Sequence, residues 1–226
     1  GSERDTYSLP SPRFGIHGGH FVCKKPKVPE KTAGIIGFIS GSGLDKGGGA
    51  LRRRASGVGL DIGSHSIKLV QLEPMGKFYR LSSYGEIATP AGALENGLIR
   101  DREAVAHAVD QLFRNTGIRN RCLVTSVPGQ QVFVKTLSLP WMRKRELKPA
   151  VYYQVAAWLS SPVEEMVIDF AVYHENRTAR EMKVLVVAVH QSVIENLLVV
   201  LELAELVGEV IDIEPLALYR VLRSQD

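Results

Sequence analysis

The chain has 226 residues, enough for one large or two small domains, and 45% of them are hydrophobic, which supports a packed core. Its net charge of +4 divides unevenly: residues 1–56 hold ten Lys and Arg against four Asp and Glu, so residues 57–226 are net −2. That split excludes a nucleic-acid partner argued from overall basicity, because no basic stripe is apparent in the globular part.

Cys23 and Cys122 form neither a CxxC pair nor a metal-ligand spacing, and they fit a reducing compartment with Cys122 as a small buried residue on a strand. No apolar run reaches the ~18 residues of a membrane span. The nearest, Val193 to Ile211, is interrupted by Glu195, Glu202, Glu205 and Glu209. No charged-then-apolar leader is visible, so the expectation is a soluble cytoplasmic chain without a membrane span.

Residues 1–56 hold 11 of the 21 glycines, and Pro10, Pro12, Pro26 and Pro29 interrupt the rest. They read as a disordered Gly-rich, basic extension. Gly41 to Gly49 is neither G-x-x-x-x-G-K-[ST] nor G-x-G-x-x-G and reads as a flexible linker. Arg52, Arg53 and Arg54 read as a solvated run, with contact to anionic lipid as the alternative.

The folded part begins near Val58. Val58, Leu60 and Ile62 alternate with Gly57, Gly59 and Asp61, predicting a short strand whose end carries Asp61 beside a turn. Gly63 is expected to give that turn φ > 0 and space beside the main chain, with Ser64, His65 and Ser66 adding a run of amides. Lys68 opens a second strand, its face continuing as Val70 and Leu72 while Ile67 and Leu69 line the other. A turn over Pro74 to Lys77 and a third strand, Phe78 to Ala88, complete an antiparallel meander. Pro90 and Gly92 open a loop to Leu98 and Ile99. Residues 102–116 predict an amphipathic helix with Val105, Ala108, Val109, Leu112 and Phe113 on its core stripe, Asp101 as N-cap and Gly117 as stop. His107 lies off the stripe and reads as a surface residue. Arg121 to Val127 is the next strand, ended by Pro128 and Gly129.

Gln131 to Leu139 begins a second unit. A helix follows with Leu147, Val151, Val155 and Trp158 in register. Pro149 is placed at the first helical position, which starts the helix at Lys148 and avoids a proline in its interior. Two strands, Met166 to His174 and Met182 to His190, flank a polar turn at Asn176 to Arg180. A third helix is capped by Ser192, carries Val193, Leu197, Val200, Leu201 and Ala204 on its core stripe, and stops at Gly208. Val210 to Ile213 is a strand, and Pro215 starts a last helix over Leu216 to Leu222.

The hairpin Asp61 to Lys68 has the parts of a phosphate site. Amides in a glycine-containing turn make an anion-binding concavity, and a lysine adds a point charge. A carboxylate beside phosphate makes sense when it holds Mg²⁺ through water. The alternative is an ordinary hairpin whose Asp and Gly serve turn chemistry. Asp212 and Glu214 end a strand where they are either cleft carboxylates or structural groups at a strand–helix junction.

Asp61-x-Gly63-x-x-x-x-Lys68 on a strand–turn–strand resembles the first phosphate loop of the actin, Hsp70 and sugar-kinase superfamily. The blocks "VGLDIGSHSIKLVQLE", "YGEIATPAGALENGLIRDREAVAHAV", "VTSVPGQQVFVKTLSLP" and "VIDIEPLALYRVL" together resemble the PilM family, the FtsA-like proteins of type IV pilus assembly. The resemblance covers Gly57 onward. It implies an α/β fold: an actin-like ATPase (RNase H-like) subdomain over 57–129 and 209–226, with an SHS2-type inserted subdomain over 130–208, truncated before the second lobe. The extension would then be unusual, or would reflect a start placed too far upstream. Pro149 and Ser160-Ser161-Pro162 depart from the family's pattern.

The resemblance further implies a nucleotide site at Asp61, Gly63, Ser64, His65, Ser66 and Lys68, with Mg²⁺ held by Asp61 through water and Asp212 and Glu214 beside the cleft. ATP and Mg²⁺ are the implied cofactors, acting as a structural or switch ligand in the complete protein, with at most weak hydrolysis and no catalytic residue assigned. The implied partners are the cytoplasmic tail of a bitopic PilN-like protein, held in a groove between the two subdomains, and other pilus assembly proteins. Self-association is expected through surface left uncovered. The implied location is cytoplasmic, at the inner membrane through those partners. Two other readings are half of an actin-like sugar or acetate kinase, which needs a general base that does not stand out, and an FtsA-type cell-division protein, which needs a C-terminal membrane helix longer than Leu216 to Leu222.

Overall fold

The computed structural model describes residues 57–75 and 78–223, together with the backbone of two short antiparallel strands, β1 (Phe14–His17) and β2 (His20–Cys23). The side chains of β1, β2, Phe78 and residues 220–223 are outside that description. So are the expected linker Gly41 to Gly49, the Arg52 to Arg54 run and the Cys23 thiol.

A five-stranded sheet forms the frame. Strands β3 (Gly57–Ile62), β4 (Ser66–Met75) and β5 (Phe78–Ala88) are the expected meander, and β4 runs on through Pro74. After a two-stranded hairpin, β6 (Leu94–Glu95) and β7 (Leu98–Ile99), comes helix α1 (Arg102–Thr116), then β8 (Cys122–Val127). The α1 boundaries are those expected. Asp101 accepts a hydrogen bond from the Ala104 N–H at 2.9 Å, and Gly117 stops the helix in the left-handed region at φ 68°.

The inserted segment carries β9 (Val132–Pro140), α2 (Lys144–Ala156), β10 (Met166–Asn176) and β11 (Glu181–His190). Then α3 (Gln191–Leu203), β12 (Val207–Ile213) and α4 (Glu214–Arg223) return the chain to the large sheet. Strand order is β12-β8-β3-β4-β5 in the large sheet and β10-β11-β9 in the small one. β12 and β3 both run parallel to β8, while β3, β4 and β5 are antiparallel.

Alternation decides which face is buried. Val58, Leu60, Ile67 and Leu69 pack under α1 and α3 with Val105, Val109 and Leu112, and this cluster also takes Ile194, Leu197 and Leu201 from α3. A second cluster joins α2 through Leu147, Val151 and Val155 to Leu137, Met182, Val184 and Val186 of the small sheet. The opposite face of the large sheet leaves Val124, Tyr84, Leu81 and Tyr79 between 40% and 71% exposed.

Three local expectations are corrected. Helix α2 starts at Lys144, four residues earlier than the placement of Pro149 required, so Pro149 lies inside the helix. The start is held by Glu146, whose side chain accepts from the Arg143 N–H at 3.2 Å while its own N–H donates to the Arg143 carbonyl at 2.8 Å. Pro149 leaves one helical bond unmade, and the capping bonds at Arg143 fix the start ahead of it. Helix α3 has His190, not Ser192, at its N-cap and ends at Ala204, where Glu205 turns the chain at φ 57°. Gly208 therefore lies in β12 and does not stop the helix. Cys122 opens β8 only partly buried.

Candidate functional site

The turn between β3 and β4 spans Gly63 to His65. The Gly63 N–H donates to the Ser66 carbonyl at 3.1 Å, leaving Ser64 and His65 exposed at the tip. Thr89 braces the turn from β5's end: its hydroxyl donates to the Gly63 carbonyl at 2.6 Å and its N–H to the His65 carbonyl at 3.0 Å. Gly63 is not in the left-handed region expected for it. Its requirement is steric, since an added Cβ would lie 2.9 Å from the Ser66 carbonyl oxygen. The N–H of Gly63 being engaged, an anion at this turn has the tip residues and Lys68 to meet.

Lys68 stands opposite Asp61 in the β3–β4 register, and its Nζ lies 3.5 Å from Asp61 Oδ2, both side chains roughly half exposed (43% and 47%). The pair gives the Lys68 ammonium a carboxylate partner on the strand. On its other side Lys68 is paired in register with Glu86 of β5. Hydrogen bonds from Ser66 and Tyr84 hold the Glu86 carboxyl below the usual range, with the Lys68 charge adding to the effect. Tyr84 Oη is 2.8 Å from Glu86 Oε2, and donating to that carboxylate raises the Tyr84 hydroxyl above its ordinary value.

The same row continues the other way. β3 pairs with β8 at Gly59–Val124 and Leu60–Thr125, which brings Asp61 level with Ser126 one residue on. Ser126 in turn pairs with Asp212 of β12. By strand alternation, Asp212, Ser126, Asp61, Lys68 and Glu86 share one face, opposite the α1–α3 core. Two strand spacings place Asp212 about 10 Å from Asp61. Asp212 is 8% exposed and its Oδ1 accepts from the Ile213 N–H at 2.8 Å. Glu214 lies off this row: its Oε2 accepts from the Gly129 N–H at 3.1 Å and ties the end of β8 to α4. Ser126, Glu86, Tyr84 and Thr89 were not singled out from the sequence, because their places depend on strand register.

The oxygen donors suit Mg²⁺ held through water. Asp61, Ser126 and Asp212 are hard ligands spread along one row, and no cluster of three metal-ligating side chains occurs among the described residues.

A second feature is a shallow apolar depression lined by Ile62, Leu94, Leu98, Val127, Val193 and Leu197. It lies where the ends of β3 and β8, the β6–β7 hairpin and the start of α3 meet. The hairpin turns on Asn96 (φ 51°) and Gly97 (φ 76°), the Asn-Gly pair that two-residue hairpins favour. Gln131 fixes it by donating through Nε2 to the Asn96 carbonyl at 2.7 Å. Among the described residues no helix is long and apolar enough to cross a membrane.

Residues 59–225 match the family described as type IV pilus assembly protein PilM. Of solved structures, the PilM-PilN type IV pilus biogenesis complex is similar at a TM-score of 0.67 and 28% identity, covering 74% of this chain and 50% of that one. This chain thus spans about half the length of that relative. The cytoplasmic domain of EpsL, an inner membrane component of the type II secretion system of Vibrio cholerae, is similar at a TM-score of 0.47 and 13% identity, covering 70% of this chain and 57% of that one. A Bacteroides thetaiotaomicron protein with an actin-like ATPase fold and unknown function gives 0.36 and 9%, covering 76% and 58%. These last two are too distant to carry an argument. The mixed α/β class expected is the one found, and the fold is similar to that of the PilM-PilN complex.

Proposed function

This chain belongs to the PilM family of type IV pilus assembly proteins, and from that premise we propose that it serves as a cytoplasmic scaffold of pilus assembly, binding rather than transforming its ligands. The observation that carries the reading is the family match over residues 59–225 together with the likeness to the PilM-PilN complex. The proposed partner is the cytoplasmic tail of a PilN-like inner-membrane protein. Its proposed seat is the depression lined by Leu94, Leu98, Val193 and Leu197, an apolar surface framed by a fixed hairpin and a helix start. Its lining comes from the ends of β3 and β8, the β6–β7 hairpin and the start of α3, all on the large-sheet core, so the seat proposed here is on that unit and not at the expected groove between two subdomains.

The proposed nucleotide site is the turn from Asp61 to Lys68. Lys68 supplies the charge for a terminal phosphate, Ser64 and His65 offer the exposed main chain of the turn, and Asp61, with Ser126 and Asp212 along the row, holds Mg²⁺ through water. The ion would neutralise phosphate charge. Lys68 must leave Asp61 for phosphate as the ion takes its place, so the ion pair is a resting arrangement of the two side chains. ATP on this reading is a structural or switch ligand. The Gly129–Glu214 bond favours a structural role for Glu214 over a place in the cleft.

The test is a pull-down between this chain and a synthetic peptide of the N-terminal cytoplasmic tail of the PilN-like protein from the same genome. Capture that is lost on Leu98→Asp and retained on Lys68→Met supports the reading. No capture of the tail removes it.

A further inference from the structure

The net charge of −2 over residues 57–226 conceals a strong local asymmetry. Of the 18 Lys and Arg in that span, six gather at one end of the small sheet from two separated segments. Arg143, Lys144, Arg145 and Lys148 come from the start of α2. Arg177 and Arg180 come from the β10–β11 turn, which the chain draws against them: the Trp141 N–H donates to the Arg180 carbonyl at 2.7 Å, and the Arg177 guanidinium lies 5.8 Å from the Trp141 ring centre. The acids nearby are Glu146, Glu175 and Glu181, which leaves a net of +3. The absence of a basic stripe in the linear sequence is corrected here by the fold.

Exposed aromatic surface accompanies the charge. Trp141 is 39% exposed before the helix, and Tyr153 is 78% exposed on its outer side. Leu147, Val151 and Val155 use the inner side for the core. The outer side therefore carries Arg145, Pro149 and Tyr153 along one i, i+4 row, and no acid occurs between Glu146 and Glu164. Lys148 lies beside it, over the Tyr152 ring at 5.5 Å.

We propose that the outer side of α2, with Trp141 and the β10–β11 turn, docks directly on an anionic lipid surface. Arginine and lysine gain attraction near anionic headgroups, and tryptophan and tyrosine sit well at the boundary between headgroup and acyl chain. A helix of mixed cationic and aromatic outer face lies in the plane of such a surface and does not cross it. An acidic protein or a nucleic acid would satisfy the cations but gives no equal reason for Trp141, Pro149 and Tyr153 to stand exposed together. The contact is independent of the nucleotide turn and of partner capture. It adds a direct attachment to the indirect one that a membrane-protein partner provides.

The test is co-sedimentation of the full chain with vesicles of equal parts phosphatidylglycerol and phosphatidylcholine, beside vesicles of phosphatidylcholine alone. Binding is expected to the anionic vesicles only and to fall with salt. The double variant Arg145→Glu/Lys148→Glu is expected to weaken it at least about thirtyfold, and Tyr153→Ser severalfold, with unchanged melting temperatures. Because residues 1–56 are also basic, Arg52→Ala/Arg53→Ala/Arg54→Ala is made in parallel and is expected to keep most of the binding. No binding to anionic vesicles overturns the proposal. So does binding that the α2 variants leave intact, or binding carried by polyglutamate or single-stranded DNA at concentrations where vesicles are not bound.

Discussion

Lys68 faces Asp61 across the β3–β4 ladder with 3.5 Å between Nζ and Oδ2, and both side chains are about half exposed. An ion pair this open contributes about 0–1 kcal/mol to folding. Lys68→Met is therefore expected to leave urea-unfolding stability within about 1 kcal/mol of the parent chain. Nucleotide binding is the property it should change. A turn with one lysine and two or three charge-assisted hydrogen bonds supplies about 5–8 kcal/mol gross, against about 4–15 kcal/mol for association. Mg-ATP is thus expected to bind this chain no tighter than millimolar, seen as NMR shifts at Ser64 and His65 that Lys68→Met abolishes. Calorimetry giving a micromolar Kd would refute this estimate.

Two glycines separate turn chemistry from packing. At Gly85 an added Cβ would overlap Thr116 Cγ2 and lie 2.9 Å from Leu112 Cδ1, at the packed end of α1. Gly85→Ala is expected to destabilise by about 1–3 kcal/mol through overpacking. At Gly63 the obstacle is a backbone oxygen, so Gly63→Ala should open the turn and shift the amide signals of Ser64 to Ser66. Equal melting temperatures for Gly85→Ala and the parent would show that α1 yields freely.

The Glu86 carboxyl is lowered in the folded chain by bonds from Ser66 and Tyr84 and by the Lys68 charge. Its contribution is present above the ordinary glutamate value of 4.5 and is lost as pH falls through the lower folded value. Tyr84 is raised, so its contribution is present below 10.0 and is lost as pH rises through the folded value. Glu86→Gln is expected to flatten the stability profile on the acid side of 4.5. Both groups are exposed, so the change is small, and titration followed by NMR at Glu86 reads it directly.

Pro149 interrupts α2 after Lys148, where it has no N–H for the Arg145 carbonyl. A proline inside a helix costs about 3 kcal/mol, part of it offset by a less flexible unfolded chain. Pro149→Ala is expected to raise stability by about 2 kcal/mol. A drop on that substitution would mean that the proline ring contributes to the fold more than the missing hydrogen bond costs.

Val124, Tyr84, Leu81 and Tyr79 lie open on the face of the large sheet away from α1 and α3. Large apolar and aromatic side chains open together on one sheet face make a patch that favours association. The chain is expected to self-associate through this face, with sedimentation coefficients that rise with concentration and fall back on Tyr84→Asp. Edge-to-edge pairing through β5 is disfavoured, because the ladder slips between Gln71 and Leu72 and the resulting bulge breaks the outer edge. A strictly monomeric profile at high concentration would count against self-association.

Much of this protein is written in short-range pattern. Alternation in Val58, Leu60 and Ile62 marks β3, and the stripe from Val105 to Phe113 with Asp101 and Gly117 at its ends marks α1, because those signals join residues at most a few positions apart. The Asn96-Gly97 turn is equally local, two adjacent residues that both take positive φ. The row from Asp212 through Ser126 and Asp61 to Lys68 and Glu86 was beyond such pattern. It exists only once β3, β8 and β12, distant along the chain, settle into one parallel register, and that register is set by which side chains the shared core accepts. The same holds for the cations of α2 and of the β10–β11 turn: they become one surface only when β9 pairs with β11 and brings the start of α2 beside that turn.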